Sequence, residues 1–422
     1  MNAHSTTIDT SRFFENPYTN EITELSRDEC LKHAQILIEK CQLHFLHANR
    51  EMRQFGSLYN GALGAFVYIP WKLAALHGKL GNERESDRLL KDALDCADTA
   101  MAFVASSSYR RVTLLESPWV GAKALQIAIW HDSNQIDKSQ KESRILATQI
   151  AKSCEGLPPK ECDVLYGRAG AIQAILFLRQ VLKSDDIGQD CVLQLANEIL
   201  REGRRYAAIN KHDGLPLLWE WHEKKYLGAA HGVVGILHTL LNLSSTELAI
   251  LNEQYDIHNY IKETIEGLKN YCWPSGNLDS SIQEASHQKG DRLVHWCHGT
   301  TGHILLLMKA HEIYGGDGAY QKLACKLAKE VIWTRGLLRK GVGLCHGISG
   351  NAYALLATGR DDTIIKHYGH SFARFALDHL DQLEGIPDEP YCLFNGVPGL
   401  VALLIDLADE DDKARFPLYD YA

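Results

Sequence analysis

Three histidines in this chain stand directly before a glycine in closely similar surroundings: His231 in AAHGVVG, His298 in HWCHGTTG and His346 in GLCHGISG. Two of the three follow a cysteine, Cys297 and Cys345. Two thiolates and one imidazole make a soft nitrogen-and-sulfur donor set suited to zinc, and three protein ligands leave the fourth tetrahedral position open. An exogenous thiol taken up there is held as a thiolate near neutral pH, ready to attack carbon. Cys297 and Cys345 lie 48 residues apart, far outside zinc-finger spacing, so only a fold that returns equivalent positions to one place can pair them. From spacing alone three readings stand: an open zinc site, a closed structural zinc with His231 or His298 as fourth ligand, and two buried cysteines with no metal.

The elements that must position these residues are repeated. A Gly-x-x-Gly pair followed by an apolar stretch starts at Gly61, Gly167, Gly232, Gly299, Gly347 and Gly396, with a degenerate copy at Pro118–Gly121. After each pair come apolar residues around most of a helical circumference, as in GAIQAILFLRQVL and GHILLLMKAHEIY, which predicts buried inner helices. Amphipathic, charged segments at 27–50, 85–105, 140–153, 188–208, 257–270, 318–334 and 363–381 predict outer helices. A loose period with variable loops marks repeated supersecondary units. The expected fold is all-α: an α/α toroid of seven helix-pair repeats and about fourteen helices. It forms a single domain over 1–422, with residues 1–26 as an N-terminal extension packed on the ring. Paired glycines at poor helix-forming positions are expected to let backbones approach where inner helix ends converge.

Composition narrows the function. Lys and Arg number 44 against 53 Asp and Glu, a net charge of −9, and no basic stripe is present, so nucleic acid has no electrostatic footprint. No run reaches membrane-spanning length and the N-terminus lacks the order of a secretory signal. Eleven cysteines without framework spacing fit a reducing compartment, so a cytoplasmic protein is expected, with peripheral membrane or nuclear placement left open. Cys30, Cys41, Cys96, Cys154, Cys191, Cys272, Cys325 and Cys392 read as small hydrophobes. Trp219, Trp221 and Trp296 fit either a peptide groove or rim packing.

The motifs FFENPY (13–18), LYGRAG (165–170), WEWHEKKYLGAAHG (219–232), LVHWCHGTTG (293–302), KGVGLCHGISGNAYALL (340–356) and ARFP (414–417) resemble those of the eukaryotic LanC-like proteins, relatives of bacterial lanthionine cyclases, over nearly the whole chain. The resemblance implies a seven-repeat toroid with one zinc ion held by Cys297, Cys345 and His346. It implies glutathione as co-substrate, added to dehydroalanine or dehydrobutyrine in proteins or peptides that carry dehydrated phosphoserine or phosphothreonine. His231 matches the family's acid/base histidine, His298 follows the first zinc cysteine, and Asp163 matches the catalytic aspartate of the bacterial enzymes. Lys340 and Arg12 match residues near glutathione. Where relatives have an Arg-x-Pro-Asp run at that site, this chain reads Gly385-Ile386-Pro387-Asp388; Pro387 and Asp388 preserve the loop, but a carboxylate partner is lost. His231 is expected to be the first proton donor and His298 the second. The alternative is a non-catalytic zinc- and glutathione-binding adaptor or thiol sensor.

Overall fold

The structure is a computed structural model that describes residues 8–18, 24–47, 56–104, 111–212, 214–282, 290–360, 362–409 and 414–421. Its helices are α1 Arg27–His47, α2 Ile69–Lys79, α3 Glu83–Val104, α4 Pro118–Asp132, α5 Ile136–Cys154, α6 Arg168–Leu182, α7 Gln189–Asn210, α8 Val233–Leu241, α9 Ser245–Tyr255, α10 Ile257–Gly267, α11 Thr300–Tyr314, α12 Ala319–Leu327, α13 Trp333–Arg335, α14 Ile348–Thr358, α15 Thr363–Asp378, α16 Leu380–Leu383 and α17 Val397–Ala408. Wide π turns lead into α2 at Gly64–Tyr68 and join α12 to α13 at Ala328–Ile332. Strands are confined, among the described residues, to β1 Lys225–Tyr226 and β2 Ser281–Ile282, an antiparallel pair in which Tyr226 faces Ser281.

Every inner helix expected from the apolar stretches is present, as α2, α4, α6, α8, α11, α14 and α17. Each packs on the next around a closed ring, α2 meeting α4 through the Gly64–Tyr68 turn that leads into it, and α17 returns to α2. In α14 every residue from Ile348 to Thr358 is buried. The outer layer behaves as its pattern demands: α3 buries Ser86, Leu89, Leu90, Ala93, Ala97, Ala100 and Val104 as one stripe, flanks it with half-buried Leu94, Cys96 and Met101 and exposes most of the rest, the signature of a helix with a single packed face. Outer helices follow their inner partners, with one exception. The last inner helix, α17, pairs with α1, so the final repeat is assembled from the two ends of the chain. The fourth repeat differs by an extra helix, α9, started by a Ser244/Glu247 capping box whose buried Glu247 forms a two-pronged pair with Arg179 at 2.7 and 2.8 Å.

The paired glycines serve a more local purpose than expected. An inner helix begins with backbone N–H groups that lack partners within the helix, and these starts have glycine rather than a capping side chain at the N-cap. At α6, α8 and α14 the preceding loop curls back and caps the helix with its own carbonyls, whereas the Ser117 side chain caps α4 and the Asn277 side chain accepts the first N–H of α11. The Gly170 N–H donates to the Asp163 carbonyl at 3.2 Å, Val234 to Leu227 at 3.0 Å, and Ile348 to Gly341 at 3.1 Å. The close approach is therefore mainly between a helix and its own preceding loop. At Gly170 a Cβ would collide with the Val164 carbonyl oxygen and crowd Thr113. Gly170→Ala is expected to cost at least about 3 kcal/mol of unfolding free energy, in the range of severe steric insertions. Denaturant melting measures it, and a loss below about 1 kcal/mol would show that the loop yields.

The same loops join one another around the ring. The Leu165 N–H donates to the Ala230 carbonyl (3.3 Å), Ala230 to Cys297 (3.5 Å), Cys297 to Cys345 (3.3 Å) and Cys345 to Phe394 (2.7 Å), while Tyr59 donates to Leu115 (2.9 Å). These loops all precede inner helices, so the N-termini of the inner helices gather on one face, where their dipoles favour negative charge. Within the ring, residues 414–421 touch the inner layer: Phe416 stacks on Trp296, Tyr419 on His238, and the Tyr421 hydroxyl donates to the Gln173 carbonyl. Asp420 is ringed by His238, Lys309 and Arg415. Burial alone would raise its pKa, but these partners hold it well below the usual carboxylate range.

Candidate active site

The face that collects the inner-helix N-termini brings together residues scattered over some 290 positions. The Cys297–Cys345 backbone bond sets the two cysteines side by side. The ligand atoms of Cys297, Cys345 and His346 all lie within 4.8 Å of one another, with both cysteines buried. Donors around a tetrahedral zinc stand roughly 3.5 Å apart, so this cluster fits such an ion with little adjustment. Neither His231 nor His298 belongs to the cluster. Burial pushes the Cys345 thiol up, but hydrogen bonds from Cys297, His346 and Tyr59 outweigh it and hold Cys345 well below its ordinary value. Cys297 is held well above, first by its hydrogen bond to Cys345 and then by burial.

Beside the cluster stands a second group. His231 Nδ1 is 2.7 Å from Asp163 Oδ2, and Asp163 is 2% exposed, so the carboxylate holds the imidazole in the tautomer that leaves Nε2 free. Trp221 stacks on the His231 ring at 3.8 Å and 5°, with Tyr166 parallel to both. Behind Tyr166 lies Glu116, buried and paired with Arg111 at 2.5 Å; burial keeps its carboxyl above the ordinary value despite that pair. The ring of His298 is 6.5 Å from that of His231. Burial first, then the charges of His231, His346 and Lys340, lower His298 to about 4, so its imidazole is neutral at pH 7. Of the three tryptophans, only Trp221 meets the candidate histidines; Trp219 packs against Gly203, and Trp296 is core.

The remaining expected residues flank this centre. Lys340 is exposed, and its charge acts on His295, Cys297 and His298. The segment 8–18 runs alongside 337–339, with Phe14 N–H donating to the Leu337 carbonyl at 2.7 Å and Arg339 N–H to that of Arg12 at 2.9 Å, which brings half-buried Arg12 to the neighbourhood of Lys340. Residues 1–7 and 19–23 of the expected N-terminal extension lie outside the described residues. Gly341 takes a positive φ of 119°, and a Cβ there would strike Pro387 Cγ at 2.6 Å; Pro387 is buried against this turn while Asp388 is exposed. Nothing lies within 4 Å of where a Gly385 Cβ would point.

Two residues at this face were missed in the sequence. Tyr59 donates its hydroxyl to Cys345 Sγ at 2.8 Å, and His295 Nδ1 is 4.0 Å from Cys297 Sγ. The signal existed. Counted back from the first glycine of each repeat, Tyr59 occupies the same register as Cys297 and Cys345, and His295 the same register as Asp163.

Comparison with known proteins agrees with this architecture. Residues 54–421 match the family described as lanthionine synthetase C-like protein. A Danio rerio protein named glutathione S-transferase LANCL1 is 31% identical over 360 residues, covering 84% of each chain. The LanC-like protein GCL1 of Arabidopsis thaliana is 32% identical over 264 residues, covering 61% of this chain and 57% of its own. Nisin cyclase superposes with a TM-score of 0.61 at 16% identity, over 92% of this chain and 95% of its own. With its closed double ring of helices and a family match from residue 54 to residue 421, this chain belongs to the lanthionine synthetase C-like family.

Proposed function

We propose that this protein is an enzyme that adds the thiol of glutathione to dehydroalanine or dehydrobutyrine residues of proteins, using one zinc ion held by Cys297, Cys345 and His346. The observation that carries the reading is the three-donor cluster within 4.8 Å beside the His231–Asp163 pair. The naming of one relative as a glutathione S-transferase supports the choice of thiol. Zinc bound there would supply a Lewis acid that keeps a thiol deprotonated near neutral pH.

The protein's own residues account for the rest. Addition forms one C–S bond at the β-carbon and shifts the alkene pair to the α-carbon, which then takes a proton, so the proton lost from the thiol is balanced in the product. His231, its Nδ1–H held by Asp163, takes up the proton lost by the thiol on its free Nε2 and delivers it from there to the α-carbon. Trp221, stacked on the ring, limits its rotation. His298, neutral at pH 7, is the weaker donor and serves better as a polar wall. Arg12 and Lys340 offer positive charge to the tripeptide carboxylates, and Asp388 offers a carboxylate to its ammonium, on a loop held by Pro387. Collected helix N-termini add to the same preference for an anionic thiol.

Incubating the protein with glutathione and a dehydroalanine peptide is expected to yield a product heavier by one glutathione, at a rate well above the enzyme-free reaction in mass spectrometry. A rate equal to that control, with zinc and glutathione still bound, would replace this reading with the adaptor. Running cysteine and other thiols in parallel shows whether the open space at Gly385 relaxes the preference for glutathione.

A further inference from the structure

Tyr59 reaches the metal-ligand cluster from the opposite end of the chain, 286 residues from Cys345. Its placement is over-determined. The backbone N–H is bound by the Leu115 carbonyl at 2.9 Å, and the ring stacks on Phe394 at 5.0 Å and 27°. Phe394 in turn accepts the Cys345 N–H at 2.7 Å. One residue of the last repeat thus fixes both the backbone of Cys345 and the ring that addresses its sulfur. The hydroxyl is left with Cys345 Sγ as its partner at 2.8 Å, and a phenol O–H facing a thiolate acts as the donor.

Resting on the zinc reading above, we propose that Tyr59 is a positioning residue of the metal centre: its hydroxyl draws charge from the Cys345 sulfur and aims that sulfur at Cys297 and His346. Groups that hydrogen-bond a ligand set its orientation and its donor strength. Here the donor reduces the electron density the sulfur offers, so that a metal held by these ligands would be a stronger Lewis acid toward a thiol. In three of the seven repeats the Tyr59 register position holds the two ligand cysteines and this tyrosine, the other four holding Glu116, Leu165, Ala230 and Phe394, so the belt that places the ligands also places the group that tunes one of them.

The test uses the full chain loaded with cobalt(II) in place of zinc and reads the sulfur-to-metal charge-transfer band. Tyr59→Phe keeps the ring against Phe394 and removes only the hydroxyl, so the more electron-rich sulfur is expected to shift the band to lower energy while one cobalt per chain is retained. Incorporating 3-fluorotyrosine at position 59, a stronger donor of nearly the same shape, is expected to shift it to higher energy at pH 7; this arm decides the matter if the phenylalanine variant does not fold. Bands at the same energy in all three proteins overturn the role of Tyr59 and leave the zinc reading intact. A wild-type protein that takes up no cobalt with a thiolate band overturns both.

Discussion

Cys345→Ala is expected to remove zinc and thiol addition together. Cys345 is the hub of the ligand cluster: its sulfur neighbours the Cys297 sulfur and the His346 imidazole, its N–H is bound by Phe394 and its carbonyl by Cys297. Alanine preserves both backbone bonds, so the ring should keep its helical circular dichroism while the donor set falls from three to two, too few for a catalytic zinc. Loss of several kcal/mol of Lewis-acid stabilisation corresponds to a fall in rate of at least roughly 10³-fold. Metal content per chain and initial rate are measured on the same sample. Stoichiometric zinc in a folded Cys345→Ala protein would mean that the ligand set is wrong.

His231→Ala separates proton delivery from metal binding. His231 lies outside the ligand cluster, and its loop is tied to Cys297 by a backbone bond that alanine leaves in place, so zinc should stay at one per chain. Loss of a positioned general acid is expected to slow addition by about 10²- to 10⁴-fold. It also strands the Asp163 carboxylate, 2% exposed with its main partner gone, so some loss of stability accompanies the kinetic effect. An undiminished rate would exclude His231 as the proton donor and turn attention to His298.

The sequence carried more of the architecture than of the site. Inner and outer helices were legible because their burial differs around the circumference: α14 is buried on all sides, α3 along one stripe. The extra helix α9 was not, because 245–255 has no strong apolar stripe and is anchored by a buried Arg179–Glu247 pair that only tertiary contact reveals. At the site, Cys297, Cys345 and His346 stood out by residue type and repeat register. Tyr59 did not, since a tyrosine at a helix start is ordinary until the ring brings it to a sulfur. The glycine pairs were assigned to neighbour contacts when most of the crowding is with the helix's own loop, a difference of backbone geometry that residue types do not encode.

Pairing α17 with α1 also gives the protein a timetable. During synthesis the ribosome releases α1 first and α17 last, so α1 waits with an unmatched apolar face through nearly the whole of translation. Tyr59 likewise emerges 286 residues before the sulfur it binds, an interval of about 15–60 s at typical elongation rates. The cysteine cluster therefore has its full surroundings only after the last repeat has left the ribosome and the two ends have met. A metal held by Cys297, Cys345 and His346 would find its finished surroundings only once α17 has met α1, and a stalled nascent chain presents exposed thiols and an open helical arc to the chaperones of the cell.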